Sequence, residues 1–84
     1  MRSESAAIAA IKSGERTISD YGTASTSEWL TLCLALARYD GLEGTGYEAN
    51  EAAWDRLNDA QRAIVRAENP TFRAAEFDGP SRYM

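Results

Sequence analysis

An all-α domain, a three- to four-helix bundle around one central apolar helix, follows from three features of this 84-residue sequence. Alanine, the strongest helix former, supplies 15 of its residues. Hydroxyl-bearing caps at Ser3 and Ser25, with stops at Gly14, Gly41 and Pro70, cut the chain into segments of helical length. Within those segments the apolar residues recur three and four apart. The length suits a single domain, taken as residues 1–84 with 78–84 as a frayed tail. The sequence has no internal repeat, no low-complexity tract and no apolar run near the roughly 18 residues of a membrane span.

The first helix is expected over 4–13, capped by Ser3 and closed by Gly14, with Ala7, Ile8, Ala10 and Ile11 as a short apolar stripe. Residues 15–24 are ambiguous. Ile18 and Tyr21, three apart, permit a short helical turn, Thr17 with them permits a strand, and a turn or loop is the favoured reading. The second helix is the clearest. Ser25-Thr26-Ser27-Glu28 forms a capping box, Trp29 to Tyr39 is apolar almost all round, and Asp40-Gly41-Leu42 reads as a Schellman ending. A helix of that character is buried on several sides, and any exposed side would be a candidate dimer interface.

The third helix is expected over 48–68. Ala53, Leu57, Ala60, Ile64 and Ala67 follow spacings of 4, 3, 4 and 3, widened by Trp54 and Val65. Glu48, Glu51, Asp55, Asp59, Arg62 and Arg66 fall on the opposite face. Asn58-Asp59-Ala60-Gln61 resembles a cap and allows a break, but the seam runs through it in register, so one continuous helix is preferred. Asn69-Pro70 ends it, and Thr71 can cap one more short turn through Phe77. The expected core is Ile8, Ile11, Trp29, Leu32, Cys33, Leu36, Leu57 and Ile64.

That core is thin, because alanine buries little area, and tight packing or self-association as a homodimer would supplement it. The net charge of −4 is unevenly placed. Residues 1–39 carry four acids and four bases. Residues 40–59 carry Asp40, Glu43, Glu48, Glu51, Asp55 and Asp59 against Arg56 alone. Residues 60–84 carry four arginines against three acids. The negative excess therefore lies in one central segment. An acidic chain is poorly suited to nonspecific nucleic-acid or anionic-membrane binding, and a partner with a basic surface fits better.

Catalytic and metal chemistry have little to draw on. There is no histidine and only one cysteine, so no Cys/His pair, Ser/His/Asp triad or zinc set can be assembled. Cys33 lies inside the apolar helix as a small hydrophobe and cannot form an internal disulfide. Glu51 and Asp55 are one turn apart, but nothing in the sequence places them in a pocket. Gly41-Leu42-Glu43-Gly44-Thr45-Gly46 lacks the lysine and preceding strand of a phosphate loop and reads as a flexible interhelical connection. Its flanking acids do not match an EF-hand. The hydroxyls of 22–27 are explained by helix capping, although helix-start amides could also hold a phosphate. The expectation is a non-enzyme with no cofactor and no metal. Met1-Arg2-Ser3-Glu4 lacks the apolar core of a signal peptide, so the expected location is cytoplasmic.

Two candidate binding faces remain. In the first, Asp40, Glu43, Glu48, Glu51 and Asp55, with Tyr47 among them, dock a basic surface; the simpler alternative is a solvated face whose charges complement the helix dipole. In the second, Phe72, Phe77 and Tyr83 interleave with Arg73 and Arg82, either folding back onto the core or contacting a partner.

No family motif is present. In general character, being short, acidic, histidine-free, rich in alanine and arginine and without a catalytic set, the chain resembles small phage-borne inhibitors of host defence such as anti-CRISPR proteins. The resemblance rests on no particular residue. It implies a noncatalytic protein-binding module whose carboxylates occupy a basic, nucleic-acid-binding surface of an effector protein. The alternatives are a small helical DNA-binding regulator using Arg62, Arg66 and Arg73, and a structural subunit of a larger assembly.

Overall fold

The computed structural model describes residues 3–70 and Phe72. In chain order these form α1 (Glu4–Ser13), a 3₁₀ turn (Ile18–Tyr21), α2 (Thr26–Ala35), a second 3₁₀ turn (Tyr39–Leu42), α3 (Asn50–Asp55) and α4 (Asp59–Glu68). The described residues contain no strand, and the architecture is the expected small all-α bundle.

α1 begins and ends as its sequence dictates. The Ser3 hydroxyl accepts from the Ala6 amide at 3.1 Å. At the other end Gly14 takes a φ of 86°, and the Gly14 and Glu15 amides donate to the Ile11 and Ala10 carbonyls. The ambiguous stretch after it resolves into loop plus one 3₁₀ turn, nucleated by Asp20, whose carboxylate accepts from the Thr17 amide at 2.9 Å.

α2 opens with the expected capping box, Ser25 and Glu28 each accepting from the other's amide. Its end differs from expectation. The helix stops at Ala35, not near Tyr39. A Schellman ending is present, but four residues early: the Ala37 amide donates to Leu34 and the Arg38 amide to Cys33, with Ala37 itself at a φ of 56°. Gly41, read as the stop, serves a different purpose. A Cβ built on it would lie 2.7 Å from Cys33 Sγ and 3.3 Å from Trp29 Cζ2. Its bare backbone lets the second 3₁₀ turn fold flat against α2, where the Trp29 indole donates to the Gly41 carbonyl at 2.7 Å.

The single helix expected over 48–68 is two. α3 ends at Asp55, and Asn58 starts α4 with a second reciprocal cap: its side chain accepts from the Gln61 amide at 2.8 Å while Gln61 Oε1 accepts from the Asn58 amide at 3.0 Å. The local cap outweighs the seam because Leu57, at the corner, is fully buried without needing helical geometry. The segment ends at Asn69 as expected, and Asn69 is itself buried, donating from Nδ2 to the Leu34 carbonyl at 2.8 Å. That bond gives the Leu34 carbonyl, which also accepts from the Ala37 amide, a second and shorter donor at the end of α2.

α2 is central, and every other helix packs on it. Leu30 to Ala35 are six consecutive buried residues, so no side of that stretch is left for a dimer contact. The one hydroxyl among them, on Thr31, donates to the Ser27 carbonyl. Of the expected core, Ile8, Leu32, Cys33 and Leu57 are buried, whereas Ile11, Trp29, Leu36 and Ile64 pack against its edge. Leu30, Leu34, Leu42, Trp54 and Val65 complete the interior. Two polar ties hold α1: Lys12 to Glu68 at 2.7 Å, and Gln61 Nε2, which donates to Glu4 and to Ser27.

Candidate partner-binding surface

The central acids divide between the protein's own cations and solvent. Asp40 lies in the second 3₁₀ turn, exposed, and pairs with Arg38 at 3.3 Å; that hydrogen bond lowers its pKa below the usual carboxylate value. Asp55 ends α3, 3.8 Å from Arg62. Glu48 is exposed and turns back along the chain to accept from the Gly46 amide at 2.8 Å. Glu43, at the end of the second 3₁₀ turn, and Glu51, in the first turn of α3, are exposed and have no partner among the described residues. Tyr47 is half-buried and packs against the core, which reduces the contact area it can offer. Of the candidate acids, those exposed and outside any ion pair among the described residues are therefore Glu43, Glu48 and Glu51, along the connection from the second 3₁₀ turn into α3.

Two residues expected on the solvated face of α4 are engaged around Trp54. Arg62 is only 3 % exposed and donates from Nε to the Trp54 carbonyl. The guanidinium carbons of Arg62 and Arg66 each lie 5.1 Å from the Trp54 ring centroid, and the Phe72 ring sits 5.5 Å away. A continuous helix would have turned these arginines outward; the break at residues 56–58 instead sets Trp54 against Arg62 and Arg66 and makes Arg62 an internal brace. Phe72 also meets Tyr39, so it folds onto the body of the protein. Arg73, Phe77, Arg82 and Tyr83, the expected turn through Phe77 and the tail at 78–84 lie outside the described residues. A DNA-binding reading keeps Arg66 but loses Arg62, which is sealed from a phosphate backbone.

A cleft of about 340 Å³ opens between the two connections that flank α2, lined by Gly22, Ala24, Thr26, Trp29, Gly44 and Thr45. A hollow of about 250 Å³ adjoins it at Ala24 and is lined by Asp20, Tyr21 and Thr23 as well. The cleft is a product of the tertiary fold, joining residues 22–29 with Gly44 and Thr45, whereas the hollow is local to residues 20–24. The sequence assigned Trp29 wholly to the core and the flanking residues to capping and loop. The signals that could have found the cleft were the tryptophan at the first turn of α2 and the glycines facing it.

Cys33 is buried, and desolvation pushes its thiol up to about 11, with the Asp40 charge adding to the effect. Among the described residues no cluster of three or more potential ligands could hold a metal ion, and no helix is long and apolar enough to cross a membrane. Compared with protein-family models, with curated proteins and with solved structures, the chain finds no match.

Proposed function

We propose that the protein is a noncatalytic protein-binding module: a small acidic inhibitor that docks a basic, nucleic-acid-binding surface of a partner protein in the cytoplasm, in the manner of phage-borne anti-defence proteins. The supporting observation is the exposure of Glu43, Glu48 and Glu51 along one connection of a segment that holds six of the thirteen acids. The mechanism is steric and electrostatic. The carboxylates stand where phosphates would otherwise meet arginine and lysine, and the folded body blocks the groove. Tyr39 is the one large apolar side chain exposed among the described residues, so recognition through charge is better supported than burial of an apolar face in an assembly.

The test is affinity capture from the native host, followed by titration of the captured protein. The complex should weaken steeply as salt rises. The triple variant E43Q/E48Q/E51Q should bind about ten-fold or more weakly, while E15Q, at an exposed site elsewhere, should bind as the parent does. A complex indifferent to salt, or one the triple variant retains, overturns the proposal.

A further inference from the structure

The end of α2 carries two competing instructions. Leu36, Ala37 and Arg38 are good helix formers, and Asp40-Gly41-Leu42 supplies a glycine stop followed by an apolar residue, so the local sequence favours a helix that runs to Tyr39. The fold ends it at Ala35 instead. Ala37 is placed at a φ of 56°, where a side chain is strained, whereas Gly41, the residue suited to that conformation, does not adopt it. Leu36 is half-buried and Ala37 to Tyr39 are exposed, so core packing does not dictate the break at these positions.

The hydrogen bonds show what does. In a continuing helix the Ala37 amide would donate to Cys33 and the Arg38 amide to Leu34. Here the two are exchanged: Ala37 donates to the Leu34 carbonyl at 3.4 Å, and Arg38 to the Cys33 carbonyl at 2.8 Å. The shorter bond to the Leu34 carbonyl, at 2.8 Å, comes from Nδ2 of the buried Asn69, which also donates to the Tyr39 hydroxyl at 3.2 Å. Asn69 thus occupies the acceptor through which the helix would propagate and ties down the residue at which it would end. Beyond it, the Trp29 indole holds the Gly41 carbonyl and Leu42 is buried.

We propose that α2 has two endings, the observed one at Ala35 and a longer one at Tyr39, and that Asn69 is the clasp that selects the shorter. In the longer form Ala37 returns to helical geometry, the Leu34 carbonyl accepts from the Arg38 amide, Gly41 becomes the left-handed stop, and the second 3₁₀ turn is absorbed into the helix. Glu43 lies at the end of that turn, so the choice of ending also sets where the acidic connection begins. The two endings stand apart from the partner-binding reading and do not depend on it.

The test is Asn69→Ala in the full, isotopically labelled chain, read by backbone carbon shifts and circular dichroism. Helical shifts should run unbroken from Thr26 through Tyr39, and helical ellipticity should rise above the parent's. Adding Ala37→Gly, which favours the left-handed turn and disfavours helix, should restore the parent's break after Ala35. Trp29→Phe removes the indole donor to Gly41 while keeping an aromatic ring; it should move the shifts of residues 36–40 in the same direction, and it supplies the answer if Asn69→Ala does not fold. Folded variants that keep the parent's shifts over residues 36–40, or a longer helix that Ala37→Gly leaves intact, overturn the proposal.

Discussion

Ala37 is the residue most at odds with its conformation. Its φ of 56° lies in the left-handed region, which disfavours any side chain by about 1–2 kcal/mol. It is exposed, so a change there loses no packing. Ala37→Gly should stabilise the fold by about 1 kcal/mol, raising the thermal midpoint by roughly 4–8 °C; an unchanged or lower midpoint would contradict the assigned helix ending. Gly41 is the converse case, with a normal backbone but no room. Gly41→Ala should destabilise by about 1–3 kcal/mol through the clash with Cys33 Sγ, and much of that loss should disappear in the Cys33→Ala background. Additive effects in that double-mutant cycle would show that the glycine is needed for something else. The two residues also mark the limit of reading helix ends from glycine alone. Gly14 ends α1 as read, whereas the glycine after α2 answers to a tertiary neighbour twelve residues earlier, the tryptophan whose indole bonds its carbonyl.

Among the elements, the corner between α3 and α4 sets where the arginines go. Asn58→Ala removes the cap of α4 and should cost about 1 kcal/mol in urea unfolding. A cost near zero would mean that burial of Leu57 and the bond from Arg62 to the Trp54 carbonyl hold the corner unaided. The starts of α1 and α2 were legible because Ser3 and Ser25 act through partners three residues away. The corner was half legible: the Asn58–Gln61 pair stood in the sequence, but the in-register seam argued for continuity. Ala60 and Ala67 of that seam are in fact exposed, so the pattern reflected alanine content more than a buried stripe. The candidate face was legible as a charge excess. Its geometry was not, because pairing of Asp40 with Arg38 and of Asp55 with Arg62 depends on turns that periodicity does not encode.

For the whole molecule, the stacking of every helix on α2 makes the interior thiol a gauge of global unfolding. Cys33 ordinarily titrates at 9.0 and is pushed to about 11 in the fold. The folded state thus retains its proton to higher pH than the unfolded chain. Its stabilising contribution is fully present below pH 9 and is lost as pH rises toward 11. Thiol modification at pH 8 should therefore be slow, and its rate should track denaturant as global unfolding does. Fast modification without denaturant would mean that the second 3₁₀ turn lifts off α2 locally, carrying Gly41 away from the sulfur. The protein's two indoles occupy opposite surroundings, one sealed among guanidinium groups and Phe72, the other bordering an open cleft. The molecule consequently contains its own pair of optical reporters: a neutral quencher such as acrylamide should dim the emission of Trp29 selectively, and Trp54 should stay unquenched until the chain unfolds.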